Sequence, residues 1–246
     1  MANLNRYIKN MALDGITREM QEKLITSKVL VVGAGNLGSN VIMNLCAFGV
    51  GHLQLIDDDI LQESDFNGQL IHKYKNIGRA KVMSAKDWVQ EYNPDIKVDL
   101  AKMKLNDLNY FSVVEGFDII VDCCDDYETK YLLNEIALRH KKVLIHGGAQ
   151  GFCGQITTII PDVTGCLGCV LPKPTENTQK PDYATISPVI TAISSMQALE
   201  VLKCICGIGE LITDRLLIFD GLKGEYRTLN YSKNVACDLC NKNFEF

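Results

Sequence analysis

The stretch 28–33, KVLVVG, runs straight into Gly33-Ala34-Gly35-Asn36-Leu37-Gly38, and residues 36–48 behind it carry apolar side chains at helical spacing. A short, continuous, β-branched run is the pattern of a strand buried on both faces. Residues 52–57, HLQLID, supply a second strand. Strand, glycine turn, helix and strand in that order require a parallel sheet with a crossover, which confines the chain to α/β folds. Glycines at Gly33, Gly35 and Gly38 let the backbone turn tightly and approach a phosphate, whose charge is favoured by the free N–H groups of a helix N-terminus. Asp57, at the tip of the second strand, can accept hydrogen bonds from ribose hydroxyls. The motif points to a nucleotide without separating NAD from ATP, and a turn that merely packs helix on sheet gives the same string.

The alternation continues. Residues 79–92 read as a helix that stops before Asn93-Pro94, where proline blocks continuation. Strands are expected over 96–100, 118–122 and 143–146, with a helix over 127–140. This is the sequence of a doubly wound, Rossmann-like, mainly parallel sheet. The second half changes character: 155–160 has the composition of an antiparallel strand among glycines, 171–183 reads as a mobile loop rich in Pro, Thr, Asn and Lys, and 184–206 becomes helical after Pro188. Strands over 216–219 and 225–231 complete an antiparallel C-terminal extension.

Two C-x-x-C pairs, Cys166/Cys169 and Cys237/Cys240, lie in that second half. Two such turns complete a tetrahedral Zn²⁺ shell of four thiolates, which leaves no position for water and makes the zinc structural. A redox role fits less well, because neither pair is expected to open a helix after an early strand. The other six cysteines, Cys46, Cys123, Cys124, Cys153, Cys204 and Cys206, read mostly as small core residues.

Bulk properties narrow the function. Of 246 residues 47% are hydrophobic and 22% charged, enough for a large core, and the net charge of −5 argues against binding nucleic acid by bulk phosphate neutralisation. Residues 1–10 are polar and lack a signal-peptide apolar region, and the apolar run 186–193 is too short and too interrupted to cross a bilayer, so the expectation is a cytoplasmic protein without membrane partners. Without repeats or a flexible linker, 1–246 is expected to form one domain: an N-terminal helical arm (1–27), a nucleotide-binding half (28–150) and a zinc-bearing half (151–246).

Taken in order, these parts resemble the MoeB/ThiF/HesA family, the bacterial relatives of ubiquitin-activating enzymes. The likeness runs from Arg6-Tyr7 through the glycine turn, Gly49-Val50-Gly51, Leu55-Ile56-Asp57-Asp58-Asp59 and Gly78-Arg79-Ala80-Lys81. It continues with Asp122-Cys123-Cys124-Asp125, Gly154-Gln155, Pro188 ahead of Met196-Gln197-Ala198-Leu199-Glu200, and both C-x-x-C pairs. The resemblance implies an enzyme that binds Mg-ATP and adenylates the C-terminal Gly-Gly carboxylate of a small ubiquitin-like sulfur-carrier protein, releasing pyrophosphate. By the same resemblance, 151–246 binds that partner, Lys81 contacts phosphates, Asp57 the ribose, and Asp125 holds Mg²⁺. Asp59, Asn67, Gln69 and Asp126 would join Gly33, Gly35, Asn36 and Gly38 around the nucleotide. Members of this type are homodimers, and Lys9 would reach into the partner's site.

The departures fall near the phosphates. Lys9 stands where the family has arginine, and an Asn-x-x-Arg-Gln string is replaced by Asp65-Phe66-Asn67-Gly68-Gln69. Asp126 replaces asparagine. Two acids gained and one cation lost beside a polyanion is unfavourable unless a metal or another cation, such as Arg79 or Lys73, compensates. The segment Lys180-Pro181-Asp182-Tyr183-Ala184 has no cysteine to accept sulfur or an acyl group. Three other functions remain open: adenylation of another peptide carboxylate, a non-catalytic paralogue that binds a partner, as half of a heterodimer for example, and, with least support, an NAD-dependent oxidoreductase. In that last reading neither His140 nor His146 sits in a recognisable relay motif.

Overall fold

The computed structural model describes residues 4–171 and 184–241. After a 3-10 turn, Leu4–Tyr7, come α1 (Ile8–Met11), α2 (Arg18–Thr26), β1 (Lys28–Val32), α3 (Asn36–Phe48), β2 (His52–Ile56), α4 (Lys81–Tyr92), β3 (Lys97–Ala101), α5 (Phe111–Val114) and β4 (Ile119–Asp122). Then follow α6 (Tyr127–His140), β5 (Val143–Gln150), β6 (Cys153–Ile159), α7 (Leu167–Val170), α8 (Ser187–Cys206), β7 (Arg215–Asp220) and β8 (Glu225–Asn230). All eight strands join one sheet in the order β3-β2-β1-β4-β5-β6-β7-β8. Pairing is parallel from β3 to β5 and antiparallel from β5 to β8. The mainly parallel sheet with an antiparallel extension is therefore as the patterning predicts.

β1 explains the two-sided core. Val29 and Val31 point to one face, where they meet Val41, Ile42 and Leu45 of α3 and Ile190 and Ile193 of α8. Leu30 and Val32 point to the other, against Leu133 and Ile136 of α6. These four of the five β1 side chains are essentially inaccessible, Lys28 alone being exposed, which is why the run lacks polar alternation.

Three elements differ from expectation. β5 continues to Gln150 because its far end is one arm of a hairpin, with Leu144 opposite Ile159 and Gln150 opposite Cys153. α4 begins at Lys81 rather than 79, because Arg79 and Ala80 pair with the segment at Ile60 and Leu61 and stay extended. α8, at 20 residues, is long and apolar enough by length and composition to span a bilayer, unlike the short run expected. It packs instead on α2, α3, β5 and β6, with Val189, Ile190, Ile193 and Val201 buried. Most of the loop expected over 171–183, and the cysteine-free string at its end, lie outside the described residues.

Candidate active site

The strand order reverses between β1 and β4, and a cavity of about 290 Å³ opens there at the carboxyl ends of the strands. Such switch points are where open α/β sheets bind ligands. The glycine turn forms its rim. Gly33 has φ +97°, and a Cβ on it would stand 2.5 Å from the Cys123 carbonyl oxygen, so only glycine fits. Asp57 holds the turn from β2: its carboxylate accepts the Ala34 N–H at 2.7 Å and the Asp59 N–H at 2.8 Å. From below, buried His72 bonds the Ala34 carbonyl through Nε2 at 3.0 Å and Ser84 Oγ through Nδ1 at 2.9 Å.

Two buried acceptors in this wall lack partners among the described residues, Asn36 Oδ1 and Gln69 Oε1. A buried unsatisfied acceptor is costly, so it calls for a ligand with donors. With the Asp57 carboxylate beside them the donor they suit is a hydroxyl pair such as a ribose carries.

Two lysines line the cavity, Lys81 and Lys130, and the Nζ of Lys81 lies 2.8 Å from Asp59 Oδ2 and 3.7 Å from Asp65 Oδ1. Burial alone would depress its pKa, but Asp59, Asp57 and Asp65 outweigh burial and raise it. Asp65, an unfavourable acid by sequence, has a structural place: its carboxylate accepts the Gln62 N–H and the Gln69 amide, both at 2.8 Å. Across the cavity Asp125 is exposed at the end of β4 with no hydrogen bond to any described residue. Capping of α6 falls to its neighbour Asp126, which accepts the Thr129 N–H at 2.8 Å.

Of the residues expected at the nucleotide, Gly33, Gly35, Asn36, Asp57, Asp59, Gln69, Lys81 and Asp125 line the cavity. Gly38, Asn67, Asp126 and Lys9 do not. Gly38 is a packing glycine, since a Cβ there would fall 1.9 Å from the Gly33 carbonyl oxygen. Asn67 is exposed at the end of a 3-10 turn, Glu63–Asn67, and Asp126 is occupied as the cap. Lys9 is exposed on α1, outside its own chain's cavity. The two cations proposed to replace the missing arginine are engaged elsewhere: Arg79 pairs with Asp87 and Lys73 with Glu91.

Several wall residues escaped sequence reading. Lys130 on α6 reaches back to β4, where its Nζ lies 3.1 and 3.2 Å from the Asp122 carboxylate oxygens and 2.8 Å from the Gly147 carbonyl. The same carboxylate accepts from His146 Nδ1 at 2.7 Å, an acid–histidine pair that no local motif announces. Burial pushes the Asp122 pKa up, but Lys130 and His146 outweigh it and hold the carboxyl below its usual range. Asp122 also accepts the Cys124 N–H at 3.1 Å, fixing the turn that presents Asp125. Cys153 and Gln155 line the far end, and Cys153 is exposed, an exception to the mostly buried set expected of the six other cysteines. Strand register brings these groups together, a signal available only from pairing.

The four zinc-pattern cysteines converge. Sγ separations are 3.9 Å for Cys166–Cys169 and 3.6 Å for both Cys166–Cys237 and Cys169–Cys240. A tetrahedron with metal–sulfur bonds of about 2.3 Å has edges of about 3.8 Å, so the thiols already stand at the spacing a zinc ion needs. Against the upward push of burial, backbone N–H groups of Cys240 and Leu239 bring the Cys237 thiol down to about 7. Cys166 caps a helix, the single turn α7, but one that follows β6 rather than an early strand, and it faces three other sulfurs rather than one.

A family model described as the ThiF family matches residues 7–239. The SAMP-activating enzyme E1 of Haloferax volcanii is 35% identical over 240 residues, covering 96% of this chain and 88% of that one. The sulfur carrier protein adenylyltransferase of Thermus thermophilus is 31% identical over 245 residues, covering 96% and 90%. The chain also matches adenylyltransferase and sulfurtransferase MOCS3 proteins, of which it spans about half the length. Among solved structures, that of E. coli MccB with ATP superposes with a TM-score of 0.87 at 23% identity, over 98% of this chain and 75% of that one.

Proposed function

This chain belongs to the ThiF family, and on that premise we propose that it uses ATP to adenylate the C-terminal carboxylate of a small ubiquitin-like sulfur-carrier protein. The observation that carries the reading is the meeting of Lys81, Asp125 and the Gly33–Gly35 turn around one cavity, with Asn36 and Gln69 oxygens in its wall that have no partner among the described residues. Asp57, Asn36 and Gln69 receive the ribose, and the α3 N-terminus takes phosphate charge. Lys81 exchanges its carboxylate partners for phosphate oxygens and stabilises charge on the leaving pyrophosphate as the carboxylate oxygen attacks the α-phosphorus. Such transfer depends on positioning and charge neutralisation more than on covalent catalysis. Asp125, exposed and without a hydrogen bond among the described residues, would hold Mg²⁺, which supplies further neutralisation.

The four converging thiols suit a structural zinc that ties the C-terminal segment to the loop after β6. Lys9, exposed and away from its own cavity, is assigned to the cavity of a second copy in a homodimer. The test is ATP–pyrophosphate exchange with a β-grasp carrier ending in Gly-Gly: exchange dependent on the carrier's terminal carboxylate supports the reading. Exchange without any carrier, or none with it, rejects it.

A further inference from the structure

Beyond β2, β1 and β4 the cavity continues along β5 and β6 to Gln155, and to Ile218 on β7. A row of side chains crosses the sheet there. Asp122 on β4 is the register partner of His146 on β5, and Gln155 on β6 is the partner of Gly148. A Cβ at Gly148 would lie 3.4 Å from Gln155 Cγ and Nε2, so the Gln155 side chain lies over that glycine and reaches His146, with Nε2 to Nε2 at 3.4 Å.

The row fixes the polarity of the amide. Ionised Asp122, neutralised by Lys130, accepts from His146 and therefore requires the proton on Nδ1. In the neutral imidazole that leaves Nε2 as an acceptor. Burial, with Lys130 nearby, keeps the ring neutral by lowering its pKa. Gln155 must then turn its NH₂ toward His146, and its Oε1, without a partner among the described residues, toward the cavity.

We infer that Gln155 receives the acceptor's C-terminal tail, accepting one backbone N–H through Oε1, and that His146 is the positioning residue that holds the amide in that orientation. The inference rests on the adenylation reading above. It also gives a position along the tail. β6 lies two strand spacings from β4, about 10 Å, a distance that an extended peptide covers in about three residues. The contacted N–H therefore belongs to a residue about three from the carboxylate that attacks the α-phosphorus near Asp125.

The experiment uses the whole protein, ATP–pyrophosphate exchange, and a synthetic peptide ending in Gly-Gly, methylated at one backbone nitrogen at a time. One methyl near that position is expected to raise the peptide KM about tenfold and leave the ATP KM alone. Gln155→Leu should raise the parent peptide's KM and abolish the methyl sensitivity. His146→Leu should do the same, and His146→Gln, which can donate to Asp122 and accept from Gln155, should restore both. Equal KM for every methylated peptide, or an ATP KM that rises in step, overturns the inference while leaving adenylation standing. Absence of exchange with the parent peptide and with an intact carrier overturns adenylation, and the tail contact with it. Should His146→Leu fail to fold, ¹⁵N NMR of the unsubstituted protein decides the positioning role: a proton on Nδ1 supports it, and one on Nε2 overturns it.

Discussion

The Lys81 ammonium stands 2.8 Å from the Asp59 carboxylate, so in the free protein this cavity lysine is already paired. Binding a triphosphate is then an exchange of anions around one lysine. Asp59 is exposed, Asp65 keeps its bonds to Gln62 and Gln69, and Asp57 keeps the Ala34 and Asp59 N–H groups, so loss of the lysine leaves each carboxylate with water or a donor. Lys81→Met should lower carrier-dependent pyrophosphate exchange by about 100-fold or more with only a small change in melting temperature. Exchange within a few-fold of the unsubstituted protein would remove Lys81 from the phosphate site.

Asp125 and Asp126 are adjacent but divide the work, and paired substitutions separate them. Asp126→Ala removes the α6 cap and should cost about 1 kcal/mol in a urea melt, with exchange retained. Asp125→Ala should leave the melt unchanged and abolish exchange. The reverse pattern would mean that the turn presents the other carboxylate to the nucleotide.

At Gly68 the family's arginine cannot simply be restored. A Cβ there would lie 2.4 Å from Asn36 Oδ1 and 2.8 Å from Ile190 Cδ1. Gly68→Arg must push the Asn36 amide out of the cavity wall, so ATP KM should rise severalfold despite the added charge, as isothermal titration or exchange kinetics can read. A lower KM would show that the guanidinium recovers more than the displaced amide loses.

Metal analysis should find one zinc per chain in the protein and none in Cys237→Ser, with a lower melting temperature for the variant, since structural zinc contributes folding energy. A full zinc equivalent in the variant, or none in the original, would contradict the four-sulfur site.

Two buried imidazoles predict the acid limb of stability. Burial lowers the pKa values of His72 and His146 from the ordinary 6.5. The unfolded chain therefore binds protons first as the pH falls, so stability is full above 6.5 and is lost progressively below it, toward the folded-state values. The urea midpoint should be higher at neutral pH than in mild acid, and His72→Gln should flatten part of that slope. A midpoint that holds steady across the range would show that neither ring is kept neutral.

The sequence alone determined what depends on neighbours along the chain. β1, α3, β2 and α6 were legible because burial on both faces, helical spacing and glycine turns are local patterns, and the sulfur quartet because two short turns of fixed spacing demand a common ion. Tertiary structure decided everything that depends on register and reach. Which of Asp125 and Asp126 faces the cavity is set by a cap bond to Thr129, and where Lys73 and Arg79 spend their charge by carboxylates on α4. Whether position 68 has room is set by Asn36 and α8, and the row Asp122–His146–Gln155 exists only because β4, β5 and β6 pair as they do. Hydrogen bonds and steric contacts act over a few ångströms of space, while the residues that make them are scattered along the chain.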